Sequence, residues 1–236
     1  MVFMESINHL VESIGLTKGD VVSIIGSGGK TTLLRALTKD MSRDLKVAAL
    51  TTTKILYPKP EDYREVFVGL QKPSIRLEKP GIYYFADEYS HGKLAGLSTE
   101  LYLQVKRIAD ILLIEADGSA GKPLKGWADY EPVILPETTI TIGIVPITAI
   151  GQRIDEETIH RLPLFLRLTD GKKGDPINKR HFIDIINHRD GLFKNAKGKC
   201  VLYISQADYE SDRLLGEAMI PEIRKDIDKI VIGSIH

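Results

Sequence analysis

Val21-Val22-Ser23-Ile24-Ile25-Gly26-Ser27-Gly28-Gly29-Lys30-Thr31-Thr32 runs from an apolar strand through a glycine loop into a lysine and two hydroxyls. The strand ends at Gly26, and three glycines let the backbone turn tightly with its N–H groups aimed inward. Lys30-Thr31-Thr32 then opens a helix that continues through Leu33, Leu34 and Leu37. The first N–H groups of a helix lack intrahelical partners, and its dipole places roughly half a positive charge there, so such a loop suits an anion. Lys30 adds a full charge for terminal phosphates, and Thr31 a hydroxyl for magnesium. Gly26, Ser27, Gly28, Gly29, Lys30, Thr31 and Thr32 are therefore the expected phosphate cradle of a nucleotide site.

The spacing is not that of a Walker A loop, which has a glycine six residues before its lysine; that position is Ile24 here. The shorter Gly-x-x-Gly-Lys-Thr-Thr form resembles the ATP loop of the Mur-type peptide ligases and, more loosely, the loops of P-loop kinases and metal-insertion GTPases. The plain alternative is a glycine-rich turn before an ordinary helix.

A second chemical feature is Asp110-Ile111-Leu112-Leu113-Ile114-Glu115-Ala116-Asp117-Gly118. Four apolar residues make a buried strand, and acids at its carboxyl end project where open α/β sheets bind ligands. This is a Walker B-like arrangement. Magnesium between phosphates favours a carboxylate beside the loop threonine, which makes Thr31 and Asp117 the expected metal ligands. Glu115 is the second ligand or the base that orients an attacking group, because residues two apart in an extended chain share a face. Lys30, Glu115 and Asp117 are the expected catalytic residues. Solvated acids at a strand end are the competing reading.

Two further segments follow strands. Leu50-Thr51-Thr52-Thr53-Lys54 either brings hydroxyls and Lys54 to the phosphate edge or reflects the β preference of threonine. Gly118-Ser119-Ala120-Gly121-Lys122-Pro123-Leu124-Lys125-Gly126-Trp127 reads as an ordered loop, with Lys122 and Lys125 either meeting phosphate or an acidic substrate or simply solvated.

Around these motifs, apolar runs alternate with helical segments, the pattern of an α/β protein with a mostly parallel sheet flanked by helices. Strands are expected at 21–25, 47–50, 111–115, 140–145, 201–205 and 230–232. Helices are expected near 31–41, 99–109, 155–165, 176–187 and 211–220, in one P-loop NTPase-like domain spanning 1–236. Phe3, Ile7, Leu10, Val11 and Ile14 fall at helical spacing with acidic Glu5 and Glu12 between them, which suggests an amphipathic N-terminal helix rather than a targeting signal. Between Tyr57 and Ser98, Pro58, Pro60, Pro73 and Pro80 surround a Tyr83-Tyr84-Phe85 strand signal; an irregular, proline-rich β insertion flanking the sheet is expected there.

Composition narrows the function. Lys+Arg and Asp+Glu both number 32, so no global field draws the chain to nucleic acid or to an anionic membrane. The longest uncharged run, 138–152, is too short to span a bilayer, and a cytoplasmic protein is expected. The single cysteine, Cys200, excludes an internal disulfide framework and reads as a packed strand residue. The six histidines lack His-x-x-x-His spacing, so zinc is not indicated.

Taken in order, Gly-Ser-Gly-Gly-Lys-Thr-Thr, Thr-Thr-Thr-Lys, Glu115-Ala116-Asp117-Gly118, Lys122-Pro123-Leu124-Lys125 and Tyr130-Glu131-Pro132-Val133 resemble the YqeC family, accessory proteins of selenium-dependent molybdenum hydroxylases. The resemblance spans most of 21–161, and His160-Arg161 falls where the family carries a His-Arg pair. It implies a nucleotide-binding protein that helps mature such a hydroxylase, with the hydroxylase or a cofactor precursor as partner. Arg161 is then a candidate to stabilise a transferred phosphate, or a plain surface arginine. Ser205-Gln206-Ala207-Asp208 echoes only one of three side chains of the Asn-Lys-x-Asp guanine reader, so Mg-ATP is expected ahead of GTP. Either an ATP-consuming enzyme or a nucleotide-switched binding module fits these residues.

Overall fold

A computed structural model of the chain describes residues 2–3, 10–53, 55–56, 59–69, 75–88 and 93–235. The elements are β1 (Val2–Phe3), α1 (Leu10–Ile14), β2 (Val21–Gly26), α2 (Lys30–Met41), β3 (Lys46–Thr51), β4 (Ile55–Leu56), β5 (Glu65–Val68), β6 (Gly81–Glu88), β7 (Lys93–Ala95) and α3 (Thr99–Ile108). They continue with β8 (Ile111–Glu115), β9 (Leu124–Lys125), β10 (Ile140–Pro146), β11 (Ile159–His160), α4 (Leu162–Leu168), α5 (Lys179–Asn187), β12 (Lys199–Ser205), α6 (Glu210–Glu217) and β13 (Lys229–Ile232).

The main sheet runs β1-β13-β12-β10-β2-β8-β3-β6-β7-β4, with β5 beside β6. Its pairings are parallel except where β7 joins β6 and β4. Parallel strands need both faces covered, and the apolar runs read accordingly. Val22 and Ile24 point to the side of α2, where they meet Leu33, Leu34 and Leu37. Val21, one residue out of phase, packs with Leu101, Tyr102 and Val105 of α3, and Ile25 with the cluster of α4 and α5. The result is an α/β fold with a central, mostly parallel sheet between two layers of helices.

Several expected boundaries shift, each for a local reason. The helix expected at 155–165 begins only at Leu162. Asp155 Oδ1 accepts the N–H groups of Glu157 and Thr158, making a turn, and Ile159–His160 pairs with Leu124–Lys125 as a small second sheet. Arg161 then takes a left-handed backbone, φ 58°, before the helix. The helix expected at 176–187 starts at Lys179 because Asn178 caps it, and that expected at 211–220 ends at Glu217, short of Pro221.

At the N-terminus Phe3 belongs to β1, paired with β13, and the described helix is Leu10–Ile14; Ile7 lies outside the described residues. The Tyr83-Tyr84-Phe85 strand does not flank the sheet. As part of β6 it sits inside it, with Ala48, Ala49 and Leu50 opposite these three residues. Pro58 and Pro73 lie outside the described residues. Cys200 is a half-buried strand residue packed against the α4–α5 cluster, and burial pushes its thiol up. Among the described residues, no helix is long and apolar enough to cross a membrane.

Candidate functional site

The glycine loop emerges from the carboxyl end of β2, between β8 on one side and β10 on the other. From β2 the chain first goes outward to β3 and β6 and returns to β8. It then resumes at β10 on the far side, so the loop sits where the strand order reverses, the place open α/β sheets bind ligands. Two of its glycines are required by sterics. A Cβ on Gly26, φ 102°, would lie 2.2 Å from the Ile144 carbonyl oxygen, and one on Gly28, φ 71°, 2.2 Å from Pro146 Cγ. The loop is thus pressed against the end of β10. Ser27 donates its N–H to that same Ile144 oxygen (3.1 Å). On the other flank, Ser205 Oγ and Gln206 Nε2 donate to the Gly28 carbonyl at 3.2 and 3.3 Å. Gly29 caps α2 with no side-chain hydrogen bond, as a glycine must, so the N–H groups of the first turn receive no cap from it.

Beside this helix start is a cavity of about 670 Å³, lined by Gly28 to Thr32, by Glu115 and by Gly118 to Gly121, among others. Glu115 ends β8 next to β2, with Ile24 directly opposite. Thr31 Oγ1 donates to Glu115 Oε2 at 3.2 Å. Burial raises the Glu115 carboxyl above its ordinary value, against the pull of Lys30. Lys30, only 3 % exposed, donates from Nζ to the Gly26 carbonyl at 2.6 Å and lies 3.9 Å from Glu115 Oε1 and 3.3 Å from Asp117 Oδ1.

Asp117 sits apart from the cavity lining. It is wholly buried, and its two oxygens accept the Gly26 N–H at 3.1 and 3.0 Å, while Oδ2 also takes Lys125 Nζ (3.0 Å) and Trp127 Nε1 (3.1 Å). The carboxylate braces the base of the loop with donors that leave little lone-pair capacity for a further ligand.

Lys125 extends the brace. Its ammonium, also fully buried, donates to Asp117, to the Gly118 carbonyl (2.6 Å) and to Glu131 Oε2 (2.9 Å), which satisfies its three N–H groups. Glu131 in turn receives Arg161 through two bonds, at 2.5 and 3.0 Å, and Arg161 also donates to Tyr130 OH at 3.2 Å. These hydrogen bonds hold the Glu131 carboxyl, despite its burial, at about 2. Lys125 is therefore buried rather than solvated, and its ammonium is committed to acceptors of this chain. Lys122 donates to the Glu156 carbonyl, and Arg161 is committed to Glu131.

The threonine segment joins the same edge in part. Thr51 is buried and donates to the carbonyls of Thr53 (3.0 Å) and Glu115 (3.3 Å), Thr52 donates to Val133, and Thr53 lines the cavity. Lys54 lies outside the described residues. Among the described residues, no three His, Cys, Asp or Glu side chains cluster as a metal centre.

The brace therefore gathers residues scattered over four segments: Asp117, Lys125, Glu131 and Arg161. The YqeC protein family model matches residues 22–163, more than half of the chain, and so takes in both the loop and the brace. The chain belongs to the YqeC family. It is also 28 % identical over 236 residues to a protein of Escherichia coli strain K12 described as "Uncharacterized protein YqeC", covering 96 % of this chain and 92 % of that one. No solved structure matches. Within this YqeC-family chain, sequence reasoning missed the support that Ser205, Gln206 and Trp127 provide. Trp127, the single tryptophan, two residues after Lys125, was the available signal: a buried indole N–H needs an acceptor.

Proposed function

We propose that this protein binds a nucleoside triphosphate, ATP in preference to GTP, together with magnesium, and acts in the maturation of a selenium-dependent molybdenum hydroxylase or its cofactor. The observation that carries the nucleotide reading is the convergence of three groups on one cavity. Lys30, Thr31 and Glu115 meet there at the start of α2, beside a loop whose glycines are sterically obligatory. The maturation role rests on the motifs shared with the YqeC family.

The donor set suits magnesium, a hard cation that keeps most of its waters and takes few protein ligands beside phosphate oxygens. Thr31 and Glu115, whose oxygens are 3.2 Å apart, are the groups to hold it, in place of the pairing with Asp117 expected from the sequence. Magnesium held by these two groups would neutralise phosphate charge. Lys30 exchanges the Gly26 carbonyl for a terminal phosphate oxygen and offsets charge that grows as the bond to the leaving oxygen lengthens. Glu115 orients the attacking water or acceptor hydroxyl. Asp117 keeps the Gly26 N–H and the lysine in place without touching the substrate.

A switch reading has its own support. The ion-pair chain from Lys30 through Asp117, Lys125, Glu131 and Arg161 ends at Tyr130, a ring 70 % exposed, so loop occupancy and a surface tyrosine share one network. Measuring phosphate release from Mg-ATP separates the two. Turnover that disappears in Lys30→Ala supports the enzyme, whereas tight binding without release supports the switch.

A further inference from the structure

The cavity does not end at the phosphate-facing wall. It continues to Leu34 and Arg35, one turn of α2 beyond Lys30 and Thr31, and on to Lys59, Tyr63, Tyr84 and Leu50. A helical turn advances about 5.4 Å, which sets Leu34 and Arg35 beyond Lys30 and Thr31, while Glu115 lies near enough to act electrostatically on Tyr63 and Tyr84.

Its chemistry is distinct. Tyr84, on β6, is 1 % exposed, and its hydroxyl has no hydrogen-bond partner among the described residues. A buried O–H left unsatisfied costs about 1–3 kcal/mol, so such a hydroxyl on a residue that lines a cavity marks a place where a ligand can complete the bond. The residue opposite on β3 is Ala49, small enough to leave the ring its room. Tyr63 stands edge-on to Tyr84, ring centres 5.1 Å apart. Arg35 is held by Asp62 at 3.1 Å, its side chain still 48 % exposed, and Lys59 is exposed. Two cations, an unpartnered phenol and two leucines describe a site for an organic molecule with one anionic end.

We propose that this far wall is a second binding site, for a small organic anion bearing a phosphate or carboxylate, which Arg35 and Lys59 attract and the Tyr84 hydroxyl orients. Its role as the acceptor's site rests on the nucleotide reading above; the binding itself does not.

Phenyl phosphate and benzoate are the probes, titrated calorimetrically into the protein alone and into the protein saturated with magnesium and a non-hydrolysable ATP analogue. The expected result is binding in both conditions, with the stronger probe telling which anionic group the site takes. Arg35→Gln weakens it about tenfold, the scale of one charge-assisted hydrogen bond, and Tyr84→Phe about fivefold, that of a neutral one. Thermal unfolding of Tyr84→Phe stays at or above that of the unaltered protein, since the ring remains and only the orphan hydroxyl is lost. Binding of neither probe, equal affinity in both variants, or displacement of the probes by the analogue would overturn the proposal. Should the analogue itself fail to bind, the nucleotide reading falls, while the titrations without it still decide the second site.

Discussion

Lys30 and Asp117 face each other 3.3 Å apart beneath the glycine loop, the lysine 3 % exposed and the aspartate fully buried. Gly26 joins them: its N–H goes to the carboxylate and its carbonyl to the ammonium. The loop lysine is thus held from behind by an acid that lies outside the cavity. This arrangement divides the two acids of β8 and its extension into a brace, Asp117, and a cavity residue, Glu115.

The brace makes Asp117 and Lys125 matter for stability before they matter for any ligand. Removing one partner of a buried, hydrogen-bonded pair leaves the other charge uncompensated, at a cost of about 3–5 kcal/mol. Asp117→Asn and Lys125→Met should each lower the denaturant midpoint accordingly. The double variant should recover part of the loss, which urea unfolding of all three variants checks.

The Glu131 carboxyl gives a pH signature. It is lowered from 4.5 to about 2 by Arg161 and Lys125, despite its burial. A depressed carboxyl contributes stability that is complete above the unfolded value and is lost as pH falls from about 4.5 toward 2. Glu131→Gln should flatten that limb of the stability profile. Glu115, raised by burial, has the opposite sign: its contribution grows as pH falls, so the two acids are separable by variant.

Magnesium should depend on Thr31 and Glu115 more than on the brace. Thr31→Ala and Glu115→Gln are expected to keep the fold and to weaken the magnesium dependence of nucleotide binding by about tenfold or more, the scale of lost charged contacts. Because the Glu115 carboxyl is raised, that dependence should also fade at a higher pH than an ordinary glutamate would give. Titration of magnesium at fixed nucleotide, across pH, reads both effects.

Gly28→Ala should abolish nucleotide binding. The added Cβ meets Pro146 at 2.2 Å in a backbone at φ 71° that alanine disfavours, so the loop must leave β10. Circular dichroism of the variant should show the sheet retained.

Much of this was legible in the sequence where one segment decides its own structure. The strands of the sheet announce themselves as apolar runs, and the loop-to-helix turn at Gly26–Lys30 as glycines before a lysine. What failed were positions where a distant partner decides. Ile159, Leu162 and Phe165 have helical spacing, yet pairing with Leu124–Lys125 holds Ile159 in a strand and Arg161 breaks the run. Lys125 reads as a surface lysine in a glycine loop; only folding brings Asp117 and Glu131 around it. Likewise Glu115 and Asp117, two apart, look interchangeable. Asp117 follows the end of β8, where Gly26, Lys125 and Trp127 converge on it, and that convergence brings two other segments, the glycine loop and Lys125–Trp127, to the end of β8.

The most direct test is calorimetric titration of the protein with ATP and with GTP, each with and without magnesium, beside Lys30→Ala. The account predicts magnesium-dependent binding, tighter for ATP, that weakens at least about a hundredfold in the variant, as expected for losing charged contacts to phosphate. Absence of binding by either nucleotide, or binding that Lys30→Ala leaves unchanged, would contradict it.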